Sequence, residues 1–177
     1  QNITTLESIL FSKENGIATI TLNRPDKFNS ITKEIALGMQ QFLNECAEDV
    51  EVRCVIITAK GKAFCAGQDL AEETHPDSPD LSVFVSKHYN PIIKKIRAIE
   101  KPVIAAVNGV AAGAGANIAL ACDIVIATES SYFMQAFSKI GLIPDSGGTF
   151  TLPRLVGMAR ATALAFLGEK VSARDAV

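Results

Sequence analysis

Apolar and polar positions along this 177-residue chain alternate first with the period of a strand and then with that of a helix. Two apolar stretches, Ile9 to Phe11 and Ile17 to Leu22, flank Asn15-Gly16, a pair suited to a tight hairpin turn, so the chain begins as β. Past the Arg24-Pro25 turn, Ile35, Met39, Phe42 and Leu43 fall on one helical face, with Ser30 or Thr32 available as the cap. Val52 to Thr58 predicts the next strand. The polar, proline-containing segment Glu72 to Asp80 predicts a mobile surface loop, followed by a helix from about Leu81 to Ile99 with a kink at Pro91. A β-branched strand, Val103 to Val107, breaks at Asn108-Gly109 and opens through Gly113-Ala114-Gly115 into another helix. Strands are expected at Ile124 to Ala127 and near Tyr132 to Met134, with a helix around Ala159 to Leu167. The closing SARDAV reads as the middle of a helix, as in a fragment lacking a C-terminal part. No repeat of fixed period is found. Strands alternating with helices predict one α/β domain, a sheet with helical cover, whose ligand sites gather at strand ends.

The chain carries no charge for 21 residues between Lys101 and Asp123. A run of that length could span a bilayer. Asn108, Asn117 and three glycines interrupt it, however, and no aromatic belt or basic cluster flanks it. The expectation is a buried strand and helix whose small residues let backbones approach closely, with no membrane association. Where that helix starts, outward-facing backbone amides and the positive end of the helix dipole can hold a developing negative charge.

A formal net charge of −2 with scattered basic residues argues against nucleic-acid partners. Cys46, Cys54, Cys65 and Cys122 lack CxxC spacing, so reduced, mostly buried thiols are expected, and no metal site. QNITTLESILF shows neither a secretory nor a transit pattern, which suits a cytoplasmic protein. Gly113 and Gly115 begin a GxG, but Ile118 stands where a dinucleotide loop needs glycine, and no GK[ST] occurs. No GxSxG occurs either, and His75 and His88 read as surface residues. What remains is one acid, Asp145, between a proline and a Ser-Gly-Gly turn. It is placed either to be aimed at a ligand or to cap the helix start that follows.

Three phrases in order, GKAFCAGQDL at 61–70, KPVIAAVNGVAAGAG at 101–115 and IGLIPDSGGTFTLPRLVG at 141–157, resemble the crotonase superfamily, the enoyl-CoA hydratase/isomerase group. TLNRPDKFNSI fits the same group, so the resemblance covers nearly the whole chain. It implies a spiral of ββα units closed by a C-terminal helical region that this chain lacks, and trimers or paired trimers. It also implies an acyl-CoA substrate, carried as a coenzyme A thioester with no separate cofactor. By position, the oxyanion hole would be the N–H groups of Gln68 and Ala114. Ala114 stands where glycine is usual, which keeps the N–H but requires ordinary backbone angles. Two preorganised amides can stabilise the oxygen of a thioester enolate by several kcal/mol in a water-poor pocket.

Hydratases of the group use two glutamates; aligned without gaps, these positions fall on Asn117 and Phe137. Asp145 instead stands where some isomerases and a dehalogenase of the superfamily carry an active-site aspartate. The dehalogenase's His and Trp partners have no counterpart at Tyr89-Asn90 or Phe137. The resemblance therefore implies an isomerase in which Asp145 shuttles a proton, its pKa raised by an apolar surround including Phe137 and Ile143. FCAGQDL, YNPIIKKI and AFSKIGLIPDSGGT look like the branch that opens the ring epoxide of an epoxyphenylacetyl-CoA to an oxepin, with movement of an acyl double bond as a related activity. A plain hydratase and a non-catalytic acyl-CoA-binding subunit are the competing readings. The CoA portion would lie along Ala66, Gln68, Asp69 and Leu70, with Lys27 near its phosphates. Lys27 could equally be an ordinary solvated lysine, and Asp69 a turn-forming aspartate. Phe84, Val85 and Phe137 are candidates for the acyl pocket or for plain core.

Overall fold

The computed structural model describes residues 2–69, 71 and 80–177, with backbone alone for 2–5. The expected loop at 72–79, with His75, lies outside the described residues. Strands β1 (Asn2–Leu6), β2 (Ile9–Glu14) and β3 (Ile17–Leu22) form an antiparallel meander. Asn15 and Gly16 both take positive φ, 52° and 81°, as the two-residue turn between β2 and β3 requires. Helix α1 (Lys33–Glu48) follows, and Thr32 is its cap, its hydroxyl accepting from the Ile35 N–H at 3.3 Å. The predicted stripe of Ile35, Met39, Phe42 and Leu43 is buried, and Phe42 stacks on Phe11 of β2 with ring centroids 4.7 Å apart.

From there the chain winds. It gives β4 (Cys54–Ala59) to the first sheet and the short β5 (Ala63–Cys65) to a second, and a helical segment returns it to the start of the next turn. The following turn gives β6 (Val103–Val107), then β7 (Val110–Ala112), then a helix. The third gives β8 (Ile124–Ala127), then β9 (Tyr132–Met134), then two helices and β10 (Lys170–Ser172). The sheets read β1-β2-β3-β4-β6-β8 and β10-β9-β7-β5. Strands β3, β4, β6 and β8 are parallel, as are β5, β7 and β9. This is the expected strand-strand-helix spiral. The crossing from β6 to β7 is tight: a methyl group on Gly109 would fall 2.1 Å from the Lys62 carbonyl oxygen. Only glycine fits there.

The helix expected over 81–99 is not continuous. α2 (Leu81–Phe84) passes into a wide π turn, Val85–Tyr89, and then α3 (Asn90–Ala98), so the disturbance precedes Pro91 rather than bending at it. Proline offers no N–H to the Lys87 carbonyl and its ring crowds that oxygen, so the preceding turn widens. Gln40 of α1 takes up the released acceptors, its Nε2 donating to the carbonyls of Lys87 at 3.0 Å and His88 at 3.1 Å. His88, expected at the surface, is buried and meets Phe84 edge-on at 4.3 Å, because the widened turn rotates it toward the core.

Helix α4 (Ala114–Ala121) is almost wholly buried. α5 (Gly148–Val156), at the helix start named after Asp145, and α6 (Met158–Leu167), the helix expected around 159–167, form a pair. The SARDAV segment is not helical; it holds the end of β10 and a turn at 173–176. Among the described residues no helix is long and apolar enough to cross a membrane. Cys46, Cys65 and Cys122 are buried free thiols, their pKa values pushed up to about 12 by burial, and Cys54 is half-buried.

Candidate active site

Parallel pairing sends three loops out of the same edge of the second sheet. Cys65 of β5 is level with Ala111 of β7, and Ala112 of β7 with Met134 of β9. Residues 66–69, 113–114 and 135–147 therefore leave the carboxyl ends of neighbouring strands, where α/β sheets place ligands. The loops are in contact. A methyl group on Gly67, at φ +97°, would stand 3.2 Å from the Ala112 carbonyl oxygen and 3.7 Å from the Ala114 nitrogen. One on Gly115 would fall 2.4 Å from the Cys65 carbonyl oxygen, so the start of α4 lies directly against β5.

Gln68 is held by its neighbours. The Ile31 N–H donates to the Gly67 carbonyl at 2.8 Å, and the Asp69 N–H donates to the Ile31 carbonyl at 3.1 Å. In extended backbone this pairing turns the Gln68 N–H away from Ile31. Ala114 is the first residue of α4, where an N–H has no partner within the helix. The unusual angles fall on Gly113, φ 53° and ψ −127°, so Ala114 keeps ordinary ones, as its methyl group requires. Neither N–H has a hydrogen-bond acceptor among the described residues. Two donors from adjoining loops, one at a helix start, can hold an anionic oxygen.

Asp69 serves the loop internally. Its Oδ2 accepts from Arg24 Nη1 at 2.7 Å and Ser30 Oγ at 3.1 Å, and its Oδ1 accepts from the Ala71 N–H at 3.0 Å. Burial alone would push this carboxyl up, but those donors together hold it below the usual carboxylate range. Of its two expected roles, the geometry fits the turn-forming one. Arg24 and Ser30, which sequence reasoning missed, are the partners. Ala66 is exposed, its N–H bonded to the Phe28 carbonyl at 3.0 Å. Lys27 is exposed in a short 3-10 turn, Pro25–Lys27, next to that clamp. Leu70 lies outside the described residues. Phe84 belongs to the core beneath Tyr89 and His88, and Val85 packs against that core. Phe137 is buried with its ring tip 3.8 Å from where a Gly113 methyl would sit, beside the Ala114 N–H.

Asp145 is half-buried, and its Oδ1 is enclosed without a hydrogen-bond partner among the described residues. Burial pushes the carboxyl up to about 6, and Ser146 acts in the opposite sense although its hydroxyl lies outside hydrogen-bonding geometry. The side chain does not cap α5. Its backbone carbonyl takes the Gly148 N–H at 2.8 Å instead, and the N-cap, Gly147, makes no side-chain bond. Ile143 is 80% exposed, so it is no part of the surround expected to raise this pKa. Asn117 and Gln135 also stand here. Asn117 Nδ2 donates to the Asp145 carbonyl at 2.9 Å, and Gln135 Nε2 donates to Asn117 Oδ1 at 2.7 Å.

The description enoyl-CoA hydratase/isomerase fits residues 12–177 as a family model. The chain belongs to that family. It is 49% identical to the 1,2-epoxyphenylacetyl-CoA isomerase of Escherichia coli over 97% of this chain and 66% of that relative. It is 38% identical to the trans-2-decenoyl-[acyl-carrier-protein] isomerase of Streptococcus mutans, over 97% and 66%. Among solved structures, the enoyl-CoA hydratase of Bacillus anthracis superposes with a TM-score of 0.91 at 36% identity, over 96% of this chain and 66% of that one. The chain thus spans just under two thirds of the length of these relatives. The family shares the crotonase fold, and the spiral described above is that fold.

Proposed function

We propose that this chain is the core of an acyl-CoA isomerase that works through a thioester enolate. One observation carries the reading: among the described residues of the three loops, Asp145 is the single acid not committed to an internal ion pair, and its pKa is raised toward neutrality. Adding water across a double bond calls for paired groups that orient and deprotonate it. Moving a proton from one carbon to another needs one base that returns what it takes. In the 3-enoyl to 2-enoyl direction, Asp145 removes a proton from the α carbon, and the electron pair delocalises onto the thioester oxygen. The N–H groups of Gln68 and Ala114 hold that oxygen. Protonated Asp145 then delivers the proton to the γ carbon, and the double bond comes to rest between α and β.

The likeness to the E. coli enzyme supports 2-(1,2-epoxy-1,2-dihydrophenyl)acetyl-CoA as the substrate; the setting proposed with it is phenylacetate or fatty-acid breakdown in the cytoplasm. The same N–H pair would hold its thioester carbonyl while the ring epoxide becomes the oxepin. The CoA portion would run along Ala66 to Leu70, with Lys27 toward its phosphates, in a trimeric or hexameric assembly. The test is deuterium uptake from D2O into a 3-enoyl-CoA, comparing the protein with Asp145→Asn. Aspartate-dependent label at the α or γ carbon is expected. Wild-type exchange in the variant would sink the assignment of the base, and CoA-ester binding with no exchange at all would leave a binding subunit.

A further inference from the structure

Asp145 sits on a strained turn. Ser146 has φ 48° and Gly147 has φ 72°, and the Gly148 N–H closes the turn on the Asp145 carbonyl at 2.8 Å. Left-handed backbone is costly for serine, and Ser146 is also buried with its hydroxyl unpartnered among the described residues. Something must hold the turn against that strain.

The second bond to the same carbonyl does so. Asn117 Nδ2 donates to the Asp145 oxygen at 2.9 Å, and Asn117 Oδ1 accepts from Gln135 Nε2 at 2.7 Å. Both side chains are buried, at 0% and 4% exposure. The fit admits no slack, because a methyl group on Gly148 would fall 2.3 Å from Asn117 Nδ2. Asn117 lies on α4, three residues after Ala114, about 4.5 Å along the axis. The rigid helix that begins with the Ala114 N–H therefore also grips the backbone of the acid.

We propose that Asn117, oriented by Gln135, is a positioning residue that fixes Asp145 relative to the Ala114 N–H. This rests on the reading of Asp145 as the base and of the Ala114 N–H as a donor to the enolate. Asn117 itself touches no substrate: it is fully enclosed, with its oxygen and an amide hydrogen both engaged. It acts on the reacting geometry, where a misplacement of about 1 Å costs on the order of a hundredfold in rate. Gln135 keeps the amide from flipping, since in the flipped state an oxygen would face the Asp145 carbonyl.

The test measures kcat and KM for 3-enoyl-CoA isomerisation and the hydrogen-exchange rate of the Gly148 amide, in Asn117→Leu and Gln135→Met. Asn117→Leu is expected to lower kcat about a hundredfold with KM within about twofold, and to speed Gly148 exchange at least about tenfold. Gln135→Met is expected to move all three the same way by less. Unchanged kcat in both variants, or a loss confined to KM, overturns the proposal. If Asn117→Leu does not fold, Gln135→Met decides by the same criterion, since it keeps the Asn117 amide and removes only the bond that orients it. Asp145→Asn separates the two readings. Full turnover in that variant sinks the base assignment and the positioning role with it, whereas a dead Asp145→Asn beside fully active Asn117→Leu and Gln135→Met sinks the positioning role alone.

Discussion

Asp145 is held at a cost to the fold. Its pKa is about 6 in the folded chain, raised chiefly by burial, against an ordinary value of 3.8 that the unfolded chain retains. The fold thus favours the protonated form. That stabilisation is complete below the ordinary value and is lost as pH rises through about 6, the full difference being on the order of 3 kcal/mol. Asp145→Asn, uncharged throughout, is therefore expected to be more stable than the parent at pH 7.5 by up to about 3 kcal/mol and equal to it near pH 3.5. Urea unfolding at the two pH values checks this; equal stability at pH 7.5 would mean that the carboxyl is solvated. In the isomerase reading the ionised form is the base, so kcat/KM should rise with pH through about 6. The next residue makes a parallel case. Replacing Ser146 by glycine removes a left-handed strain of about 1–2 kcal/mol and a buried hydroxyl without a described partner, against a chain-entropy cost of about 0.5–1 kcal/mol. A gain of about 1 kcal/mol follows, seen as a melting temperature about 2–4 °C higher.

At the scale of elements, the stretch from β3 to α1 and the loop after β5 are tied by the Arg24–Asp69 pair, with side chains 22% and 10% exposed. Arg24→Met would take from the enclosed Asp69 carboxylate its cation while the bonds from Ser30 and the Ala71 N–H remain, which costs about 3 kcal/mol by the usual penalty for a half-broken buried pair. Because the folded pKa of Asp69 is depressed, that contribution is present above its unfolded value and disappears as pH falls through the folded one. The variant should therefore lose most stability at neutral pH and progressively less as the pH falls and the carboxyl takes up its proton, as thermal melts would show. How much of this was legible depended on whether a pattern was local. The hairpin, the stripe of α1 and strands β4, β6 and β8 carry their own period or turn residues, and the short β9 carries two aromatics, YFM. Strands β5 and β7 are three residues each, AFC and VAA, too short and too uniform for any period. Helix α5 begins at glycine and contains Pro153, so propensity speaks against it; packing of Gly148 beneath Asn117 favours it. The candidacy of Asp145 and of the Gln68 and Ala114 N–H groups rested on motifs within short stretches of chain. The Gln135–Asn117 bond joins residues 18 apart and exists only once α4 and the loop after β9 have met.

For the whole molecule, the distribution of apolar surface matters most. Strand β8 closes one edge of the first sheet, and Ile124, Val125 and Ile126 are all exposed, so neither face of that edge is covered. The α5–α6 pair adds Phe150, Leu155, Met158, Phe166 and Leu167, each at least 58% exposed. Monomeric soluble proteins rarely leave contiguous apolar patches beyond a few hundred Å². A net charge of −2 supplies little repulsion to keep such surfaces apart. The described spiral, spanning just under two thirds of its relatives' length, is therefore expected to bury this surface against other chain. In sedimentation velocity the 177-residue chain should associate as its concentration rises through the micromolar range, and it should brighten a hydrophobic dye. Ile126→Thr with Phe166→Lys should weaken both effects while leaving the thermal transition intact, since both residues lie outside the core. A dye-silent monomer at every concentration would contradict this.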